Sequence, residues 1–194
     1  MASSPDAWHE ARKSLRHLRM SDAPRFSRTI PPGEDRERLV CLRCGFVEYE
    51  NPKVVVGVVA TWGDRVLLCR RAIEPRRGAW TLPAGFLEQH ESPEEGAIRE
   101  AWEEARATLR IRDLLAVYTI KHISQVQLLY RAELLTAEVA PGPESLEVGL
   151  FTLDALPADI AFPSVRWALE HHAQASASAG PWTPRTNPIV DPRG

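Results

Sequence analysis

Glu100, Glu103 and Glu104 stand at i, i+3 and i+4, positions that share one face of a helix. Three carboxylates held so close repel one another and weaken a bare helix. A divalent cation reverses the sign of that argument. Mg²⁺ takes hard oxygen ligands, typically one or two carboxylates together with substrate phosphates and water. The chemistry these residues suit is therefore metal-assisted chemistry on phosphates. The competing reading is a solvated helix face laced by Glu95–Arg99 and Arg99–Glu103 pairs.

The elements that must position the acids are legible nearby. Ser92 is a good N-cap, Pro93 suits the first helical position, and Glu95 completes a capping box with Ser92. Ala97, Ala101 and Ala105 form a slim apolar stripe for close packing on a sheet, and Ile98 and Trp102 are expected to widen it. Leu82–Phe86 reads as a strained loop whose backbone carbonyls could approach an ion, with Gly85 free to take positive φ.

Gly85, Glu91, Arg99, Glu100, Glu103 and Glu104 together resemble the Nudix box, G-x5-E-x7-R-E-x2-E-E-x-G. With Gly85 and Glu91 in place, the solvated-face reading loses its ground. The sequence departs from the box at its last glycine, where it has Arg106. Glycine there serves as a C-cap in the left-handed region, which costs arginine about 1 kcal/mol. The helix is therefore expected to end differently, with a basic residue suiting its dipole.

The resemblance covers about residues 50–172, and Asn51–Val56, Leu67–Arg71, Gly78–Gly85 and Glu144–Glu147 also carry it. These pieces look like the Nudix subgroup with an N-terminal zinc ribbon, which contains FAD pyrophosphatases. It implies an α/β/α sandwich around a mixed sheet, and hydrolysis of a nucleoside diphosphate linked to a second group X. It implies Glu103 and Glu104 as principal Mg²⁺ ligands, with Mn²⁺ a possible substitute. Glu100 would be a further ligand or orient the attacking water, and the Ala84 carbonyl would be an extra ligand. Glu91 and Arg99 would form a structural ion pair. The general base would come from outside the box, from either Glu144 or Glu147.

The basic residues Arg70, Arg71, Arg76 and Arg77 flank the loop before the box and could clamp a phosphate. A solvated loop is the equal alternative. Trp80 and Phe86 could stack on a base, although core packing explains them as readily. Tyr118, His122 and Gln125 stand where two later strands meet and could reach substrate.

Strands are expected at residues 54–61, 66–69, 109–120, 125–135 and 148–151, and a closing helix at 163–174. An amphipathic helix is expected at 5–20. The domain plan is an N-terminal helix and ribbon-like arm at 1–48, a Nudix domain at 49–174 and a flexible tail at 175–194. Cys41-x-x-Cys44 forms one knuckle, but tetrahedral zinc needs four ligands and no earlier cysteine pair exists. His9 and His17 belong to the separate helix, so zinc is not expected; the arm should survive as a degenerate ribbon. Cys69 reads as core.

The net charge of −2 and the absence of a bilayer-length apolar run give no sign of nucleic-acid or membrane partners. Three cysteines do not make a disulfide framework. A cytoplasmic homodimer, paired partly through its N-terminal region, is expected. FAD and ADP-ribose lead as substrates of such a pyrophosphatase. NADH, sugar nucleotides and diadenosine polyphosphates are the same-class alternatives, and a non-catalytic ligand-binding regulator is the alternative from another class.

Overall fold

The computed structural model describes residues 25–188, so the helix expected at 5–20 lies outside the described residues. The chain divides into two compact units, Met1–Asn51 and Pro52–Gly194. In the first, β1 (Phe26–Thr29), β2 (Arg38–Cys41) and β3 (Val47–Glu48) form an antiparallel sheet in that order. Cys41 and Cys44 bracket its last turn, closed by the Gly45 N–H donating to the Cys41 carbonyl at 2.9 Å. The described part of the arm is thus built of short antiparallel strands. Both cysteines are free thiols.

The second unit is built on β4 (Lys53–Trp62), whose run of valines is buried along most of its length. Such a run suits a strand covered on both faces. Gly63, at φ 63°, and Asp64 make the two-residue turn into β5 (Arg65–Arg71). β6 (Trp80–Thr81) pairs with β5, and β7 (Ala84–Phe86) pairs with β4. The segment expected to be a loop is therefore a short strand at its end. After α1 (Pro93–Ala105) come β8 (Leu109–Ile120), β9 (Gln125–Leu134) and β10 (Ser145–Thr152). The main strand order is β10-β5-β4-β9-β8, with β4 and β9 parallel and the other pairs antiparallel. The closing helix α2 spans Pro163–Ala177.

Alternating strand residues build two cores. Val56, Val58 and Leu67 meet Ala97, Ala101 and Ala105 of α1. Val59, Leu68, Leu115 and Tyr118 meet Val165, Ala168 and Leu169 of α2. A helix on each face of a mixed sheet is the architecture the resemblance implies. The stripe of α1 is narrower than expected: Ile98 and Trp102 are exposed, and Glu104 is buried in their stead. Ile98 and Trp102 border the alanine stripe on its solvent side, whereas Glu104 borders it on the side turned to β7, where it meets the Ala84 N–H.

Two further expectations are corrected. Arg106 does end α1 in the left-handed region, at φ 52° and ψ 24°, and its N–H reaches the Trp102 carbonyl at 2.9 Å. Its guanidinium lies 5.6 Å from the Trp102 ring centre, a contact that accompanies the strained cap. The tail is also less free than expected. The Trp182 indole N–H donates to the Leu115 carbonyl at 2.8 Å, as does the Arg185 N–H at 3.0 Å, and Val117 N–H donates to Arg185 at 2.8 Å. β8 is an edge strand of the main sheet, and this segment satisfies backbone groups that would otherwise lie open. Among the described residues no helix is long and apolar enough to cross a membrane.

Candidate active site

The N-terminus of α1 is fixed by its capping box. Glu95 N–H donates to Ser92 Oγ at 3.2 Å, and Ser92 N–H donates to Glu95 Oε2 at 2.7 Å. Glu95 is thereby engaged at the cap. The preceding loop is fixed by Glu91, which accepts the Glu88 N–H at 2.7 Å and both ends of the Arg99 guanidinium at 3.0 and 2.8 Å. Arg99 and the Glu88 amide hold the Glu91 carboxyl down at a pKa of about 2. The expected Glu91–Arg99 pair is present. Arg99 goes further: it donates to the Phe86 carbonyl at 3.0 Å, to Glu100 at 2.8 Å and to Glu103 at 2.9 Å. One guanidinium thus joins the loop, β7 and two acids of the helix.

Glu104 has a different environment. It is buried, and its Oε2 accepts the Ala84 N–H at 3.1 Å. Burial, followed by repulsion from Glu100 and Glu144, pushes its pKa up to about 8. Burial also raises Glu100. The glycines permit this crowding: a Cβ on Gly85 would overlap the Glu100 carboxylate, and one on Gly142 would overlap the Glu103 carbonyl. Gly142 N–H and Ala140 N–H donate to the Glu104 and Ala105 carbonyls at 2.9 Å each. The loop carrying Glu144 is thereby clamped to the end of α1.

Glu100, Glu103 and Glu104 of α1, together with Glu144, face a cavity of about 1200 Å³. Glu100, Glu103, Glu104, Glu144, Ala84, Arg71, Phe86, His122 and Gln125 all line it. Other expected contributors stand elsewhere. Glu147 is exposed and pairs with Arg70 at 3.5 Å. The Arg70 Nε–H is turned to the Gly78 carbonyl at 2.9 Å. Arg76 pairs with Asp159 at 3.0 Å, and Arg77 is exposed outside the lining. Trp80 packs edge-on against Phe151, with ring centres 4.9 Å apart. Tyr118 is buried, its hydroxyl 2.7 Å from His171 Nδ1. Strand alternation accounts for the split: neighbours on β5 point to opposite faces, so Arg71 reaches the cavity and Arg70 does not. Lys121, Trp167 and Asn187 line the cavity without having been expected to. Asn187 in particular lies in a segment whose sequence gives no periodic signal.

Among the described residues, no three acidic, histidine or cysteine groups stand gathered as a ready-made metal cluster. Arg99 occupies the sides of Glu100 and Glu103. The donor chemistry nevertheless suits a hard divalent cation. Every candidate side-chain ligand is a carboxylate, and the buried Glu104 carboxylate faces two like charges with a single backbone N–H on it. In the N-terminal unit, Cys41 and Cys44 have no further cysteine or histidine with them among the described residues.

The model of the NUDIX domain matches residues 51–170 of this sequence, and that of the Nudix N-terminal zinc ribbon matches residues 23–50. The chain belongs to the Nudix hydrolase family. It is similar to an ADP-ribose pyrophosphatase of Methanocaldococcus jannaschii, 29% identical over 56% of this chain and 67% of that protein. It is also similar to the NAD-capped RNA hydrolase NudC of Pseudomonas aeruginosa, 32% identical over 64% of this chain. The match spans only 45% of that relative's length. Among solved structures, a NUDIX hydrolase from Nitrosomonas europaea is 43% identical, with a TM-score of 0.78 over 84% of this chain and 94% of that one. An ADP-ribose pyrophosphatase from Streptococcus suis is 25% identical, with a TM-score of 0.61 over 71% of this chain and 100% of that one.

Proposed function

We propose that this chain is a divalent-cation-dependent pyrophosphatase that cleaves the diphosphate of a nucleoside diphosphate derivative, with ADP-ribose or FAD as substrate. The observation that carries the reading is the convergence of Glu100, Glu103, Glu104 and Glu144 on one cavity of about 1200 Å³. That volume accommodates a dinucleotide-sized ligand. Glu103 and Glu104 are the principal ligands for Mg²⁺ or Mn²⁺, with Glu100 and the Ala84 carbonyl beside them. When bound, the cation offsets the charge of the diphosphate and acidifies water.

The protein's own groups do the rest. Arg99 and Glu91 lock the loop to the helix, so that the carboxylates hold their orientation. Arg71 supplies a positive charge for a phosphate oxygen. Glu144 is the general base, in preference to Glu147, because it alone of the two lines the cavity. Its carboxylate accepts the proton of the attacking water as the new O–P bond forms. The bridging P–O bond breaks, and its electron pair leaves with the departing phosphate. From ADP-ribose and water the products are AMP and ribose 5-phosphate.

A panel of nucleoside diphosphate derivatives with Mg²⁺ and with Mn²⁺ tests the proposal. ADP-ribose or FAD should be turned over fastest. Folded protein that hydrolyses no member would overturn it. The resemblance to proteins named NAD-capped RNA hydrolase favours a second reading, a NAD-type dinucleotide, free or at the end of an RNA. NADH and a capped RNA therefore belong in the panel. The working assembly is a cytoplasmic homodimer without bound zinc, acting on a free nucleotide.

A further inference from the structure

Backbone pairing between the C-terminal segment and β8 reaches Arg185, and the next contact is made by a side chain. Asn187 Oδ1 accepts the Thr119 N–H at 2.8 Å, and Asn187 Nδ2 donates to the Thr119 carbonyl at 2.9 Å. One edge-strand residue thus offers a donor and an acceptor to a single planar amide. Thr119 and Asn187 line the same cavity as Glu100, Glu103, Glu104 and Glu144, with Ile120 and Trp167. Thr119 is exposed and Asn187 half-buried, and both border the cavity.

A carboxamide places an N–H donor and an acceptor on either side of one carbon. Adenine presents the same arrangement at its 6-amino group and N1, and nicotinamide carries a carboxamide outright. Exchanging one such pair of hydrogen bonds for another costs little net free energy, whereas leaving the backbone groups bare is costly. We propose that the Thr119 backbone pair is a recognition subsite for a planar substrate group bearing a donor beside an acceptor. Asn187 is its built-in surrogate: it satisfies both Thr119 backbone groups and yields them to the substrate. The inference rests on the cavity being the substrate site of a nucleotide hydrolase, and it names the group recognised beside Thr119.

The test is calorimetric binding to the full chain, as wild type, Asn187→Ala and Asn187→Asp. The probes are AMP, nicotinamide mononucleotide and purine riboside 5′-monophosphate, which lacks the amino group. Removing the internal competitor should tighten AMP or nicotinamide mononucleotide by about three- to tenfold. Purine riboside monophosphate, which keeps N1 as an acceptor but has no amino donor, should tighten less than AMP. Asn187→Asp, which still accepts the Thr119 N–H but cannot donate to its carbonyl and adds a negative charge, should not reproduce the tightening seen with alanine. Tightening of AMP identifies the adenine edge; tightening of nicotinamide mononucleotide identifies the carboxamide. Three probes that shift alike, no shift at all, or weaker AMP binding to the alanine variant would overturn the subsite. Hydrolysis assays on the same samples separate the two claims. Turnover without the selective shift removes the subsite alone. The selective shift without turnover of any substrate removes the hydrolase reading alone.

Discussion

At Glu104, burial opposes the charge that the proposed metal-ligand role requires. Its carboxylate is held inside the protein beside Glu100 and Glu144, and its pKa rises to about 8. An acid whose folded pKa is raised stabilises the fold fully below its ordinary value near 4.5, and that stability is lost as pH rises through about 8. Cation-free protein should therefore melt at progressively lower temperature across that window. Glu104→Gln should flatten the profile, and saturating Mg²⁺ should restore stability at the alkaline end. The same substitution should lower turnover by about two to three orders of magnitude, as expected when a charge serving a phosphoryl transition state is removed. A folded variant with near-wild-type turnover at saturating Mg²⁺ would take Glu104 out of the mechanism. Glu144 and Glu147 make a paired comparison. Glu144→Gln should lower kcat by about a hundredfold or more, as for lost general-base catalysis. Glu147→Gln, which removes only an exposed partner of Arg70, should leave kcat within about twofold. The reverse ranking in a pH-rate series would reassign the base. Sequence reasoning could name both acids but could not rank them, because the difference lies in how Gly142 clamps its loop to the helix end.

Helix α1 was legible almost to the residue because its signals are local: Ser92, Pro93 and Glu95 act on one another within a single turn. Its C-terminus was not. The cost of a left-handed arginine argued for another ending, yet Arg106 adopts that conformation and sets its side chain against Trp102. Arg106→Gly should relieve the backbone at the loss of exposed contacts only, and should raise stability by about 0.5–1 kcal/mol. Chemical denaturation with unchanged m-value would read that gain directly. A loss of stability would mean that the contacts with Trp102 outweigh the strain. The widened stripe failed for a related reason. Periodicity marks which residues share a face, but not how wide a part of that face the sheet covers. Ile98 and Trp102 lie at the uncovered border and Glu104 at the covered one, where β7 supplies a backbone N–H. The tail was illegible for a third reason: Trp182 finds its acceptor on Leu115, 67 residues earlier, and no local pattern announces so distant a partner.

At the scale of the whole molecule, the two units are unequal in their means of support. The Nudix unit buries side chains against helices on both faces of its sheet. Among described residues 25–51, only Pro31 and Cys41 are buried, while Phe26, Ile30, Leu42, Phe46 and Tyr49 stay exposed. So little burial cannot offset the ordering of a chain of that length. Metal is one remedy, and the knuckle retains part of the geometry: backbone N–H groups of Cys44 and Arg43 lower the Cys41 thiol pKa. Yet Cys69, the remaining cysteine, is buried in β5 of the other unit's core. Elemental analysis of the purified protein should find well under one zinc per chain, and a full equivalent resisting chelation would require ligands from elsewhere. A second copy of the chain is the other remedy, since the exposed apolar groups of the arm gain burial by pairing. Light scattering at micromolar concentration should report a dimer for the full chain and a folded monomer for residues 52–194. A monomeric full chain would defeat the idea of pairing altogether. A fragment that remains dimeric would move the interface onto the Nudix unit and leave the arm's exposed side chains without that explanation.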